Sequence, residues 1–338
     1  MTERSWLVPG LCLTLLSGAS ALVLMPNYSG VLPALGLLPL WLVASAALAA
    51  FYAYARMAMA RVPSPFRHIA QTVRSDWRGL LMIAVGITVA GLNMIAFMWT
   101  KPLLNYYVPF WADPYLANID RVLFLGHDPW SLLGWLNSYG TALFYHRGWF
   151  AMMILTLLLV LCRPASPKKS AVMLTYFVLW SVVGPVIHIL LPAAGPVFYD
   201  DLGYGSRFAA IQLPDEMVRM SDYLWTIYQG DRFGPGSGIS AMPSLHIATT
   251  VWIVLAIYVL ARRWTVPMAA LGLLIFLLSM SLGWHYAVDG IVGAVAAIGC
   301  YRLALAYYDG SLARRLKLQA ADPSSPQART ATYGAGLD

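Results

Sequence analysis

The sequence predicts an all-α protein, a polytopic membrane helix bundle of about eight transmembrane helices. Three observations carry that reading. Of 338 residues, 59% are hydrophobic and 11% are charged, against roughly 45–50% and about 25% in soluble domains. The apolar residues gather in runs of roughly 20, the length a helix needs to cross about 30 Å of hydrocarbon. The charged residues cluster in the connections between those runs. Together these exclude a soluble enzyme, a disordered chain and a nucleic-acid-binding domain. The net charge of +7 is then a topology signal.

The eight runs, in order, are 6–25, 35–56, 79–100, 141–162, 172–192, 244–261, 267–284 and 287–307. The first follows Arg4 and contains Ala19-Ser20-Ala21, which imitates a cleavable signal peptide. It is long for such a segment and is read as a helix that stays. Between the second and third runs lie Arg56, Arg61, Arg67, Arg74 and Arg78, and residues 61–78 read as a basic interfacial helix. Arg163, Lys168 and Lys169 follow the fourth run, Arg262 and Arg263 the sixth, and Arg302, Arg314, Arg315, Lys317 and Arg329 mark the end of the eighth and the tail. With Arg4, this side holds 16 of the 22 cationic residues and 5 of the 15 acids. Basic loops stay in the cytoplasm, so both termini are expected there.

Two connections on the other side are long. Residues 101–140 carry Tyr106, Tyr107, Trp111, Tyr115, Trp130 and Trp135, either an aromatic belt at headgroup level or a lid over a lipid-facing opening. Residues 193–240, rich in Gly, Pro, Asp and Tyr, form an outer cap. The expected organisation is two N-terminal transmembrane helices in 1–60, a membrane-embedded catalytic core in 61–310, and a disordered cytoplasmic tail in 311–338. Cys12, Cys162 and Cys300 lie in apolar runs, so no disulfide framework or cysteine metal site is visible.

Ionisable residues at membrane depth are costly and mark function by default. The candidates are His146, Arg147, His188, His246, His285 and Asp289. The stretch Gly238-Ile239-Ser240-Ala241-Met242-Pro243-Ser244-Leu245-His246 opens the sixth run. Pro243 suits the first turn of a helix, and the free N–H groups of that turn attract an anion, phosphate above all. His285 and Asp289, at i and i+4, share one helix face where the eighth run begins. A carboxylate beside an imidazole fixes its tautomer and raises its basicity, as a nucleophile or base requires. From His246 to His285 is 39 residues, roughly 58 Å of helix or two bilayer crossings. The chain goes in and comes back, so both histidines return to the outer face.

PSLH followed by HYxxD resembles the type 2 phosphatidic acid phosphatase superfamily. The strings GISAMPSLHIATT, WHYAVDGIVG and LLPAAGPVFYD are similar to the inositol phosphorylceramide synthase branch, with a weaker likeness at 113–128, DPYLANIDRVLFLGHD. The resemblance implies a six-helix phosphatase-type core and metal-independent chemistry without a cofactor. It implies that His285 is a nucleophile forming a phosphohistidine, that Asp289 orients it, that His246 protonates the leaving alcohol, and that Ser244 holds phosphate oxygens.

The sequence departs from the phosphatases in two places. It has no match to their upstream KxxxxxxRP motif, and Leu278 and Ser279 stand where they have Ser-Arg. Other cations must then meet the phosphate: Arg147 first, as a membrane arginine in need of an anion, then Arg207, Arg232 and Lys101. The expected activity is transfer of a phosphorylated headgroup, inositol phosphate among the options, from a phospholipid donor to a lipid or other alcohol acceptor. A lipid phosphate phosphatase is the alternative, with a proton-coupled transporter or a His246–His285–Asp289 zinc site as further competitors. No nucleic-acid partner is expected. The Ala-, Gly- and Arg-rich usage suggests a bacterial inner membrane, with the site on its periplasmic face.

Overall fold

The computed structural model describes residues 2–321, and all the regular structure among them is helical. The principal helices are α1 (Arg4–Leu24), α2 (Val31–Met59), α3 (Pro65–Ser75), α4 (Trp77–Tyr107), α5 (Asp113–Leu123), α6 (Tyr139–Leu161), α7 (Pro167–Leu190), α8 (Asp215–Gln229), α9 (Leu245–Leu260), α10 (Thr265–Ser281) and α11 (Ala287–Ala321). Helices α1, α2, α4, α6, α7 and α11, and α10 together with the turn before it (Arg262–Ser281), are long and apolar enough to cross a bilayer. The sixth apolar run is α9, whose 16 residues rise only about 24 Å. The protein is therefore an integral membrane protein, a polytopic helical bundle. Helix α11 continues to Ala321, so part of the expected 311–338 tail is helical; residues 322–338 lie outside the described part.

Helix α9 is the pivot, packing against α6, α7, α10 and α11. Its buried side chains include Ile247, Thr249, Trp252, Ile253 and Ala256, spread around the whole circumference, as expected for a helix surrounded by others. Helix α1 packs on α4 and α7, and α2 packs on α4 and α6. A polar knot locks the first of these joints: the Asn93 amide donates to Thr14 of α1 at 3.2 Å and to Ser181 of α7 at 2.6 Å. Such bonds are worth about 0.6 kcal/mol each on average within a bilayer.

Lys169, counted with Arg163 and Lys168 among the loop charges after the fourth run, is buried. Its Nζ donates to Glu3 at 2.8 Å and to the carbonyls of Leu161 and Arg163 at 3.0 and 2.6 Å. It closes the C-terminus of α6 while pinning the start of α1, a cation where the helix dipole favours one.

Two short helices flank the bundle. Helix α3 buries none of its residues and leaves Phe66, Ile69 and Val73 exposed beside Arg67 and Arg74, in keeping with a basic interfacial helix. Helix α5 buries its two acids together with Leu116 and Ala117, and its other side carries Asn118 and Arg121 among apolar residues. Asp113 and Asp120 face inward and are buried, while Tyr115, Ile119, Val122 and Leu123 face outward. That arrangement suits a helix whose outer face meets lipid.

Candidate active site

The site is assembled where three loops meet the starts of α9 and α11. Ser244 is the N-cap of α9, its Oγ accepting from the Ile247 N–H at 3.3 Å. Pro243 precedes the cap through a cis Met242–Pro243 bond, rather than occupying the first helical turn. The Ser244 N–H donates to the Asp289 carbonyl at 3.1 Å. At Gly293, one turn on, a Cβ would stand 2.5 Å from the Ser244 carbonyl oxygen. The glycine therefore lets α11 lie directly against the start of α9, and that contact sets the two histidines side by side. Their ring centroids are 6.2 Å apart.

His285 sits in the turn between α10 and α11, with its N–H donating to the Ser279 carbonyl at 3.2 Å. Its Nδ1 lies 2.9 Å from the carbonyl of Ala241. A carbonyl only accepts, so Nδ1 carries the proton and Nε2 keeps its lone pair. Asp289 Oδ2 is 3.7 Å from the same Nδ1 and accepts the Tyr286 N–H at 2.8 Å. The tautomer is thus fixed by a backbone carbonyl, with the buried Asp289 carboxyl just behind it. Burial pushes the His285 pKa down to about 3; the Ala241 carbonyl opposes this and the Lys101 charge adds to it. The imidazole is neutral at physiological pH.

His246, in the first turn of α9, is clamped by rings. It stacks on Tyr145 at 4.8 Å and packs on Trp149 at 4.1 Å, and its buried Nε2 has no partner among the described residues. His146, on a π-helical turn of α6, stands 5.7 Å from His246, also with an unpartnered Nε2. These three histidines line one cavity of about 800 Å³, whose other walls are mostly apolar. Its size and lining match a small-molecule site.

The phosphate-binding candidates separate. Lys101, toward the C-terminal end of α4, lines the cavity and has no ion-pair partner among the described residues. Arg147 also lines it, but it is 73% exposed and already paired with Glu216 of α8 at 2.7 Å, so it is not an arginine lacking an anion. Arg207 is committed to Asp128, to the Asn118 side chain at 2.9 Å and to the Ala117 carbonyl at 2.8 Å, clasping the outer loops away from the cavity wall. Arg232 lines a separate small pocket beside Tyr106 and Tyr228. Ser244 is fully buried as a helix cap and is not part of the cavity wall. The Leu245 and His246 N–H groups, by contrast, make no hydrogen bond among the described residues. His188 is structural. Its Nδ1 meets Ser240 at 3.0 Å and its Nε2 the Asn105 amide at 3.3 Å, which pins the loop before α9.

Sequence reading missed two residues that hold the site. Asp113 accepts from the N–H groups of Ala194 and Gly195 at 2.9 and 2.8 Å and from the Tyr286 hydroxyl at 3.0 Å. Asp120 accepts from the N–H groups of Ala287 and Val288 at 2.6 and 3.1 Å, capping α11 from another helix. Burial raises both carboxyl pKa values, Asp120 to about 6, with the backbone N–H donors opposing. The available signal was their i, i+7 spacing, which puts both acids on one helix face. Gly195, at φ +102°, is needed where this loop passes His285: a Cβ there would lie 2.5 Å from the Trp284 carbonyl oxygen.

No group of three His, Cys, Asp or Glu side chains that could hold a metal ion is present among the described residues. The arrangement offers a neutral imidazole lone pair, a second imidazole about 6 Å away, free helix N-terminal N–H groups and one unpaired cation, all opening onto a cavity with mostly apolar walls. A family model described as PAP2 superfamily matches residues 114–303, more than half of the chain. No curated protein and no solved structure matches it.

Proposed function

The chain belongs to the PAP2 superfamily, whose chemistry is phosphatase- and phosphotransferase-type action on lipids, and from that premise we propose a membrane phosphotransferase using a phosphohistidine. The observation that carries this is the pairing of His285, its Nδ1 proton fixed on the Ala241 carbonyl, with His246 across one cavity. A phospholipid phosphate lodges between the start of α9 and Lys101. The Nε2 of His285 attacks phosphorus, and the bond from phosphorus to the lipid alcohol oxygen breaks. His246, protonated at the start of the cycle, gives that oxygen a proton and is left neutral. The acceptor hydroxyl then loses its proton to His246 and attacks phosphorus, the N–P bond breaks, and His285 returns to the neutral form. Asp289 offsets the positive charge that His285 carries while phosphorylated. Positioning and charge stabilisation supply most of the rate enhancement in such a transfer.

The donor headgroup, inositol phosphate among the options, keeps its phosphate through the reaction, and a lipid or other alcohol accepts it. The site faces the periplasmic side of a bacterial inner membrane and both termini the cytoplasm, as the loop charges indicate. A lipid phosphate phosphatase is the second reading. It is favoured by a polar groove of Tyr139, Arg147, Glu216 and Arg219 that shares Arg147, Met220 and Tyr223 with the cavity wall. Purified protein in mixed micelles with chelator, given phosphatidylinositol or phosphatidic acid with and without ceramide or diacylglycerol, separates the two. A new phosphodiester lipid that needs the acceptor supports transfer. Inorganic phosphate from phosphatidic acid, indifferent to acceptor, supports hydrolysis.

A further inference from the structure

The cavity has two ends of different chemistry, and the histidines account for only one. At their level it carries His146, His246, His285 and Lys101. Its other walls include Ala44 and Leu48 of α2, Met94 and Phe97 of α4, and Phe150 and Ile154 of α6. Two helices measure the depth of this arm independently. His146 to Ile154 on α6 is eight residues and Lys101 to Met94 on α4 is seven, a rise of about 12 and about 10 Å.

Helix α2 is fixed against this arm by Trp41. Its indole N–H donates to the Ile87 carbonyl at 3.0 Å, and its ring meets Phe150 edge-on at 5.6 Å. At Gly91 a Cβ would come within 2.7 Å of that indole, so the glycine makes the notch that seats it. Ala44 and Leu48 follow at i+3 and i+7 on the same helix face. Both lie outside residues 114–303, so this wall is built by a part of the chain beyond the family match.

We propose that this arm holds a hydrocarbon chain of the reacting phospholipid, and that Ala44 and Leu48 set the length of chain it accepts. The proposal rests on the phosphotransfer reading of the histidine site. Apart from the unpartnered Trp180 indole N–H, the walls away from the histidines offer little to hydrogen-bond. Water in such a space would lack the two to four partners it needs, whereas methylene groups gain from filling it. Because the arm ends at the histidines, a chain lying in it delivers its own phosphate to His285.

Leu48→Trp fills the arm and Leu48→Ala lengthens it. Both are assayed beside the wild type in micelles, with long-chain and short-chain lipids offered as phosphatidylinositol with a diacylglycerol acceptor and as phosphatidic acid. Leu48→Trp is expected to lose about tenfold or more in kcat/KM on the long-chain lipid, the loss when about two methylene groups leave apolar contact. Its activity on the short-chain lipid should be nearly unchanged, which also shows that it folds. Leu48→Ala should shift the long-to-short ratio the other way. Parallel changes on both lipids in both variants would overturn the proposal. A second readout does not need turnover: a long-chain alkyl phosphonate with a diazirine at the chain end, photolysed in the wild-type protein. Adducts at Ala44 or Leu48 are expected. Adducts confined to the outward face of α11, at Val295 or Leu303, would overturn it, as would equal labelling of α2 by a probe lacking the phosphonate. If α2 is labelled but neither phosphatidylinositol with acceptor nor phosphatidic acid is turned over at either chain length, the groove stands and the phosphotransfer reading fails.

Discussion

At His285 the neighbours decide the chemistry. Its proton is held on Nδ1 by the Ala241 carbonyl at 2.9 Å, and Asp289 lies farther off at 3.7 Å. His285→Gln should therefore remove on the order of 10⁴–10⁶-fold of turnover, as loss of a nucleophile does. Asp289→Asn should cost less, about 10²-fold, against the roughly 10⁴-fold seen where a carboxylate alone fixes the tautomer. Rapid-quench kinetics on the two variants measures both losses, and an Asp289→Asn defect as deep as that of His285→Gln would show that the carbonyl does not hold the ring. The depressed His285 pKa has a sign in stability as well. An unfolded imidazole takes a proton near 6.5, while the folded one resists until about 3. Between those values the unfolded state binds more protons, so this residue's contribution to stability is lost as pH falls from about 6.5 toward 3. Thermal unfolding of wild type and His285→Gln across that window should show a smaller pH dependence in the variant.

At the scale of elements, a helix that carries no reacting group braces the site. Helix α5 reaches the loop before His285 with Asp113 and the start of α11 with Asp120. Asp113→Ala strands two backbone N–H groups and the Tyr286 hydroxyl. At about 1–3 kcal/mol for each buried donor left unpaired, it should destabilise the protein by roughly 3 kcal/mol or more and lower the thermal midpoint in detergent. Asp113→Asn, which keeps an acceptor, should lose less. Lys169→Met removes three bonds at the junction of α1, α6 and α7 and should cost on the order of 2–4 kcal/mol by the same measurement. Much of this arrangement is legible in the sequence. All eight apolar runs are helical, and the 39-residue spacing that predicts adjacent histidines is followed by rings 6.2 Å apart. The role of α5 is hidden, because a helix that turns acids inward and apolar residues outward reads as an ordinary amphipathic segment until its surroundings are known. The cations mislead for a related reason. Sequence shows charge but not partner, so Arg147 and Arg207 read as free, while Glu216 and Asp128 neutralise them from far along the chain.

At the scale of the whole molecule, the loop charges predict one orientation. Residues on the outer cap, such as Asp201, should face the periplasm, and residues on α3, such as Arg74, the cytoplasm. With Cys12, Cys162 and Cys300 replaced by serine, a membrane-impermeant maleimide applied to intact cells should label Asp201→Cys and spare Arg74→Cys; the reverse pattern would invert the bundle and its site. The same orientation puts the start of α9 on the side where both the lipid phosphate and its acceptor must arrive, with the cavity walls continuing inward from it. Everything proposed for the site depends on phosphorus passing through His285. The most direct test is to quench purified protein during turnover of phosphatidylinositol with diacylglycerol, and separately of phosphatidic acid, with chelator present, and locate the phosphoryl or phosphoinositol group by mass spectrometry under conditions that preserve N–P bonds. A phosphoryl adduct on His285, formed and discharged at the rate of turnover and absent from His285→Gln, is the predicted result. Near-wild-type turnover by His285→Gln, or an adduct on another residue alone, would contradict it.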